Sequence, residues 1–177
     1  MVDEPILIRL RQPWRHAAEA LLVAIRSGVR RIAMEGPYGC GRDRVIAAAV
    51  AACSSRALIV CHNESMARMA HEAFHEVAPF RQVSDAGSGA DIEIATFADV
   101  SCSMSMVPLS AYDMVVLGER FPGNSLDAER IAARVKAVAD TVLIDAMAPG
   151  STVPVDVVVR AVTSRLPPAA RAHLEFA

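Results

Sequence analysis

Residues 31–46 read Arg-Ile-Ala-Met-Glu-Gly-Pro-Tyr-Gly-Cys-Gly-Arg-Asp-Arg-Val-Ile, and this stretch decides how the rest of the chain is interpreted. A short apolar run leads into three glycines, and an alanine-rich helical pattern follows directly. Strand, glycine loop and helix start in this order are typical of a phosphate-binding loop, in which backbone N–H groups and the helix N-terminus face an anion. Gly36, Gly39 and Gly41 are therefore candidate nucleotide-binding residues.

Two positions in this loop depart from the pattern G-x-x-x-x-G-K-[ST] of an active phosphate-binding loop. Gly36 and Gly41 keep the spacing, but Arg42 stands at the lysine position and Asp43 at the position of the hydroxyl that holds Mg²⁺. The planar guanidinium group of arginine is wider than the ammonium group of lysine, so it fits a tight loop less well. A carboxylate about 4 Å from a phosphate oxygen costs on the order of 4 kcal/mol at an effective dielectric near 20. The residues alone leave two interpretations open: a vestigial nucleotide site, or a tight strand-to-helix turn.

The composition is that of a globular protein: 53% of the 177 residues are hydrophobic and 21% are charged. The formal net charge of −2 argues against strong binding of nucleic acid and leaves only a weak contact possible. Four cysteines without a C-x-x-C pair favour reduced thiols. Because no apolar run approaches ~18 residues, we expect no membrane contact. These features predict a soluble intracellular protein of the cytoplasm, the nucleus, or a virus-like or other large assembly.

Strands and helices alternate along the chain. Apolar runs of strand length lie at residues 30–35, 56–61, 91–95, 114–117, 141–146 and 155–162. Helical patterns lie at residues 14–27, 42–53, 64–77 and 125–138, and a short helical tail is predicted after Pro168. The alternation predicts an α/β fold with a mainly parallel central sheet flanked by helices on both faces. We expect one domain over residues 1–177, with an N-terminal helical lead-in (1–29), a core (30–150), and a C-terminal strand and tail (151–177).

The order of several segments resembles the first RecA-like domain of superfamily 2 helicases and ATPases, over about residues 7–150. The segments that carry the resemblance are Leu10–Ala18 (the leading L-R-x-Y-Q-x-x-A), Arg56–Val77 (motif Ia), Ile94–Phe97 (i-a-T-y), residues 112–121 (y-D-l-v-i-i-D-E-x-H) and residues 143–149 (L-T-A-T-P). The resemblance implies a three-layer RecA-like P-loop fold, and it would place any contact with nucleic acid in the motif Ia region and at Thr96.

This sequence differs from the family at the residues that, in the family, take part in the hydrolysis of the nucleotide. Gly118 stands where the family has the Asp that holds Mg²⁺, Phe121 stands at its His, and only Glu119 remains. Ala146 and Ala148 take the places of the two threonines. Hydrolysis of a nucleoside triphosphate needs the Lys, the Mg²⁺ and a positioned water together. The resemblance therefore implies a non-catalytic pseudo-ATPase domain.

We expect this domain to act as a structural or interaction component of a larger assembly, bound to a protein partner or to further copies of itself. We expect no catalytic residue and no required cofactor. ATP or ADP could still contact the vestigial site, which consists of Gly36, Gly39, Gly41, Arg42, Asp43 and Glu119. A first alternative is a nucleotide- or phosphate-binding regulatory module that does not hydrolyse its ligand.

A second alternative is a zinc hydrolase. His71-Glu72-Ala73-Phe74-His75 matches H-E-x-x-H, in which two histidines one helical turn apart bind Zn²⁺ and the glutamate acts as base. At 100° per residue, however, His71 and His75 lie opposite the apolar stripe of the same helix, which predicts a solvent-exposed face. Glu76 and Glu93 are the only candidates for a third ligand. We therefore expect neither a metal site nor bound zinc.

Overall fold

The computed structural model describes residues 6–7, 10–36, 40–102, 108–118, 125–136, 140–146, 155–160 and 175–176. Its strands are β1 (Arg31–Glu35), β2 (Ala57–Cys61), β3 (Val83–Asp85), β4 (Ile92–Thr96), β5 (Met114–Leu117), β6 (Val142–Asp145), β7 (Val157–Arg160) and β8 (Glu175–Phe176). Its helices are α1 (Gln12–Arg26), α2 (Arg42–Cys53), α3 (Glu64–Val77), α4 (Phe97–Cys102) and α5 (Ser125–Lys136), with a 3₁₀ turn at Leu109–Ala111.

The described strands form one sheet in the order β3-β4-β2-β5-β6-β1-β7-β8. The first seven strands in chain order are all parallel, and β8 is antiparallel to β7. Every residue of β2, β4, β5 and β6 is buried, as expected for parallel strands covered on both faces. The predicted α/β fold with a mainly parallel central sheet is confirmed.

Two hydrophobic cores lie on opposite faces of the sheet. Helices α1, α2 and α3 cover the face that carries Ile32, Ile59 and Ile144. Helices α4 and α5 and the 3₁₀ turn cover the face that carries Leu58 and Leu143. The three-layer arrangement buries alternate residues of each strand in different cores.

The strand order brings the candidate site together. Because β2, β5, β6 and β1 are consecutive neighbours in a parallel arrangement, their carboxyl ends meet at one edge of the sheet. The residues at or just beyond these ends are Cys61, Gly118, Ala146 and Gly36. Residues far apart in the sequence thus come to lie near the N-terminus of α2.

Several predicted boundaries agree with the structure. Helices α2 and α3 begin and end at the predicted residues. The backbone N–H of Met66 donates to the side chain of Asn63 at 3.0 Å, which is the expected N-cap. The predicted boundaries of α1 and β4 and the predicted start of β7 are shifted by one to two residues, which is the usual uncertainty of helix and strand ends. The predicted end of β7 at residue 162 lies outside the described residues.

Two features differ from the prediction. The short strand β3 was not predicted, because Val-Ser-Asp carries no apolar run. The predicted helical tail is wrong at Glu175 and Phe176, which form β8 against Val158 and Val157. A short isolated helix is only marginally stable in water. The edge of β7 offers unpaired backbone groups with which an extended segment can pair.

Within the described part of the chain, no helix is long and apolar enough to cross a membrane. The division at residues 29 and 150 stays a prediction. Strand β7, from the predicted C-terminal segment, pairs with β1 and so extends the same sheet.

Candidate site at the glycine loop

The glycine loop connects β1 to α2. Gly36 follows β1, and Gly41 is the N-cap of α2 with φ +84° and ψ 17°. Residues 37–39 lie outside the described part of the chain, and so does the candidate Gly39. The left-handed backbone at Gly41 favours glycine, since a side chain there costs about 1–2 kcal/mol. The loop therefore has the backbone turn that the sequence pattern predicts at its helix end.

Trp14 of α1 covers Gly41. A Cβ placed on Gly41 would lie 2.2 Å from Trp14 Cε2, so the indole fills the space of a side chain. The guanidinium groups of Arg11 and Arg44 lie 5.7 and 5.3 Å from the ring centroid of this tryptophan, within cation–π distance. Glycine at position 41 is thus required both by its backbone angle and by the packing of Trp14.

An ion pair between Arg44 and Glu76 connects α2 to α3 beside Trp14. The guanidinium of Arg44 lies 2.7 Å from a carboxylate oxygen of Glu76. The hydrogen bond from Arg44 lowers the pKa of Glu76 below its ordinary value. Since the Glu76 side chain is 52% exposed, the pair contributes less than about 1 kcal/mol to stability.

Arg42 interacts with the loop itself. Its side chain is only 6% exposed, and its guanidinium donates a hydrogen bond to the carbonyl oxygen of Gly36 at 3.2 Å. A lysine at this position of an active loop extends toward phosphate. Here part of the guanidinium holds the two ends of the glycine loop together.

Asp43 lies beside an apolar cavity. The cavity is enclosed by α2, α3 and the carboxyl ends of β2, β5 and β6, and it has a volume of about 30 Å³. Cys61 and Gly118 line the same space. Burial first, and then the charge of Asp43, raise the pKa of the Cys61 thiol to about 12, so the thiol is neutral at physiological pH. Asp43 therefore presents a carboxylate to an otherwise apolar environment.

Gly118 leaves no room for a side chain. Its N–H donates to the carbonyl oxygen of Val60 at 2.7 Å. A Cβ on Gly118 would lie 2.9 Å from the same oxygen and 3.5 Å from Cα of Cys61. A longer side chain, such as the aspartate that the family resemblance places here, requires the backbone of β2 or the segment after β5 to shift.

We expect Gly118→Ala to lower the free energy of unfolding by about 1–3 kcal/mol, since the added methyl group is pressed against backbone rather than against a flexible side chain. Urea denaturation monitored by circular dichroism measures the change. Unchanged stability would show that the segment after β5 moves freely, and that an aspartate could be accommodated there.

Of the four remaining positions that the family resemblance singles out, only Ala146 is described. Ala146 is buried, and its N–H donates to the carbonyl oxygen of Leu117 at 2.7 Å. Glu119, Phe121 and Ala148 lie outside the described residues. Of the six predicted vestigial-site residues, Gly41, Arg42 and Asp43 lie at the start of α2. Gly36 lies at the end of β1 and accepts the hydrogen bond from Arg42.

The H-E-x-x-H motif lies on the outer face of α3. Glu72 and His75 are exposed, and His71 is half-buried with its Nε2 3.5 Å from a carboxylate oxygen of Asp85. Among the described residues, no group of three His, Cys, Asp or Glu side chains is placed to hold a metal ion. Both candidate third ligands pair elsewhere, Glu76 with Arg44 and Glu93 with Arg56. A cavity of about 340 Å³ lies beside His71, Glu72 and His75. It is wide enough for a ligand, but among the described residues no third metal ligand faces it.

Glu93 has a structural role that its sequence position did not indicate. This fully buried carboxylate accepts hydrogen bonds from Tyr112 Oη at 2.8 Å, from Arg56 at 3.0 Å, and from the N–H groups of Gly87 and Gly89 at 2.7 and 2.9 Å. Burial by itself raises the pKa of Glu93, but these hydrogen bonds outweigh burial and lower it below its ordinary value. Glu93 therefore fixes the turn between β3 and β4.

Sequence analysis missed Trp14 and Gly118 as determinants of the site's shape. The available signal for Trp14 was that it is the only tryptophan and precedes a glycine loop. Its contact with Gly41 joins residues 27 positions apart, which a local pattern does not reveal. Gly118 was noted for the missing carboxylate, and its steric restriction depends on the neighbouring strand β2.

No family model matches the sequence, and no curated protein matches it at the sequence level. The fold is similar to that of a hypothetical ATP-dependent RNA helicase from Sulfolobus tokodaii, with a TM-score of 0.62 and 14% identity over 76% of this chain and 45% of that one. It is also similar to the VirB11 ATPase of the Brucella suis type IV secretion system, solved in complex with sulphate, with a TM-score of 0.50 and 13% identity over 94% of this chain and 55% of that one. The chain thus spans about half the length of each of these two proteins. At this level of identity, the similarity shows the fold alone, an α/β fold of the RecA-like kind with a mainly parallel sheet flanked by helices.

Proposed function

We propose that this chain is a non-catalytic, helicase-like pseudo-ATPase domain that serves as a structural or interaction component of a larger assembly. The observation that carries the proposal is the close approach of Gly118 to Val60. The position that resemblance assigns to the Mg²⁺-holding carboxylate is occupied by a glycine whose Cβ would lie 2.9 Å from a backbone oxygen. The carboxylate is therefore absent, and the local packing excludes its return by a single substitution without backbone movement.

Two residues at the start of α2 support the absence of hydrolysis, because they differ from those that hold a magnesium–nucleotide complex in an active loop. Arg42 is buried and donates to the loop carbonyl of Gly36, so its guanidinium is partly engaged at the point where a lysine would meet phosphate. Asp43 places a carboxylate at the position of the hydroxyl that would hold the metal. This carboxylate would repel the negatively charged phosphate oxygens of a bound nucleotide. Three of the groups that hydrolysis needs are thus replaced by residues of different charge or size.

The interaction role is supported by surface features. Val23, Met69 and Phe80 are large apolar side chains that are 58%, 39% and 57% exposed. Each is a large apolar side chain that contact with a partner or a second copy would remove from water. A RecA-like domain without hydrolytic groups retains its shape and these surfaces.

Light scattering coupled to size-exclusion chromatography tests this role. We expect the purified protein to elute as a dimer or larger species, or together with a second protein from its native host. A protein that remains a monomer at high concentration and retains no second protein would contradict the interaction role. The non-catalytic assignment does not depend on this result, because it is tested by measuring the hydrolysis of ATP.

A second candidate is a nucleotide- or phosphate-binding regulatory module without hydrolysis. The observation that favours it is the left-handed Gly41 at the start of the 12-residue helix α2, since helix N-termini bind anions. The VirB11 ATPase, which shares the fold, was solved in complex with sulphate.

The single tryptophan provides a direct measurement, because Trp14 contacts Gly41. For a vestigial site, we expect no saturable change in Trp14 fluorescence when ADP or ATP is added to millimolar concentrations. Arg42→Ala is the matched variant. A saturable change in the wild type that disappears in Arg42→Ala would favour the regulatory module over the purely structural domain.

A further inference from the structure

One edge of the sheet is formed by β3. Within the described part of the chain, β4 is the only strand that pairs with β3, and the two are parallel. The side chain of Asp85, at the end of β3, is 95% exposed, so solvent reaches this edge. Lysine and proline protect many edge strands from pairing, and Val83–Asp85 contains neither. The edge of β3 is therefore a surface on which a further strand can pair.

The hydrogen bonds to β4 show which backbone groups of β3 face outward. The carbonyl oxygen of Gln82 accepts from an N–H of β4, and the N–H of Ala86 donates to a carbonyl oxygen of β4, both at 3.0 Å. Alternate residues of a strand direct their backbone groups to opposite sides. Ser84 therefore faces β4 as well, and the N–H and C=O groups of Val83 and Asp85 face the open side.

We propose that two copies of this chain join at this edge, with β3 of one copy antiparallel to β3 of the other and a two-fold axis at Ser84. In this register, Val83 of each copy lies opposite Asp85 of the other, and each such pair exchanges two hydrogen bonds through its outward groups. The same surface thus serves both copies, as a two-fold interface requires. This inference rests on the proposed interaction role and identifies its surface and its partner.

A cavity beside β3 has room for the side chain that this pairing brings in. It has a volume of about 340 Å³, and its lining includes His71 and His75 of α3 and Val83 of β3. Val83 packs against the core beneath α3, and Asp85 contacts His71, so both side chains lie on the α3 face of the sheet. Asp85 of the second copy, opposite Val83, would therefore extend into this cavity.

The histidines of the cavity complement that carboxylate. Nε2 of His71 lies 3.5 Å from a carboxylate oxygen of Asp85 in its own copy, so His71 faces β3. At about 100° per residue, His75 lies only about 40° from His71 around α3, whereas Glu72 lies about 100° away. Arg81 is held by three carbonyl oxygens at the end of α2 and by an ion pair. Each cavity would thus bring two imidazoles to two carboxylates, one from each copy.

Cross-linking at the two-fold axis tests the register. Ser84 would face its own counterpart in a non-hydrogen-bonded pair, in which the Cα atoms are about 4.5 Å apart, a separation that a disulfide spans. Ser84→Cys is made together with Cys102→Ser, because Cys102 is exposed, and should form a covalent dimer under mild oxidation. Ser88→Cys, in the same background, is the control. Ser88 is exposed in the turn after β3, so random collisions would cross-link Ser88→Cys more readily than the half-buried Ser84→Cys.

Sedimentation velocity of the full chain, from micromolar to millimolar concentration, measures the association. Because a three-residue pairing is short, we expect a weak dimer. Asp85→Ala removes the carboxylate and should weaken the dimer about threefold. Asp85→Pro also removes the outward N–H and should weaken it about tenfold further. An edge strand tolerates proline where its N–H faces outward, and an unchanged melting temperature checks the fold.

A control variant and the possible outcomes separate this inference from the proposed function. Glu19→Ala, which removes an exposed carboxylate from α1, should leave the association unchanged. A monomer at every concentration, equal cross-linking of Ser84→Cys and Ser88→Cys, or equal association of Asp85→Ala and Asp85→Pro would overturn the pairing of β3. A dimer that Asp85→Pro does not weaken, or a monomer that co-purifies with a different protein, would overturn it while leaving the proposed interaction role in place.

Discussion

Replacing Gly41 by alanine is expected to lower the free energy of unfolding by about 2–5 kcal/mol, because two costs combine at one position. The backbone has φ +84°, which is strained for a residue with a side chain. The new methyl group would also lie 2.2 Å from the indole of Trp14 and displace this ring from its contacts with Arg11 and Arg44. For a domain of this size, the change corresponds to a fall in melting temperature of roughly 4–20 °C, measured by differential scanning calorimetry.

Gly28→Ala is the matched control. Gly28 has nearly the same backbone angle, φ +89°, but no atom lies within 4 Å of its Cβ position. Both substitutions reduce the flexibility of the unfolded chain equally, so their difference isolates the contact with Trp14. Equal destabilisation by Gly41→Ala and Gly28→Ala would contradict the packing of Trp14 on the glycine loop.

Replacing Glu93 by alanine is expected to lower the free energy of unfolding by about 1–3 kcal/mol, because the buried hydroxyl of Tyr112 and the more exposed donors of Arg56 and the turn lose their shared carboxylate. The N–H groups of Gly87 and Gly89 and the hydroxyl of Tyr112 would lose their acceptor. Chemical denaturation measures the loss. Glu76→Ala is the control, because Glu76 also pairs with an arginine but is 52% exposed, and we expect it to cost less than about 1 kcal/mol. Similar losses for the two variants would contradict the structural role of Glu93.

The same carboxylate makes stability depend on pH. Hydrogen bonds to its carboxylate hold the pKa of Glu93 in the folded protein below its ordinary value in the unfolded chain. The stabilisation is therefore complete above the unfolded pKa and is lost as the pH falls through the folded pKa. Glu93→Gln should unfold with a flatter acid dependence than the wild type in this acidic range. An identical slope would show that other groups dominate acid unfolding.

Local signals were enough to predict most of the fold. Helix α3 was bounded correctly, because Asn63 is an N-cap and an apolar stripe runs to Val77. The buried strand β2 was evident from five consecutive apolar residues. Strand β3 and the pairing of Phe176 depend on neighbouring strands, and the chain near them carries no periodic pattern.

The site was predicted in composition but not in shape. The sequence showed that Arg42 and Asp43 replace the expected groups. It did not show that Arg42 bonds to Gly36, or that Asp43 faces an apolar cavity, since both depend on how α2 packs on the sheet. The fully buried Glu93 was considered only as a metal ligand, because its partners come from three other segments of the chain.

Hydrolysis of Mg²⁺–ATP by the purified wild-type protein and by Glu119→Gln tests the non-catalytic assignment most directly. Glu119 is the one acid that the family resemblance would retain for activating water. We expect phosphate release to be indistinguishable between the two proteins and from a blank without protein. Phosphate release by the wild type that Glu119→Gln abolishes would contradict the assignment and identify the chain as an active ATPase.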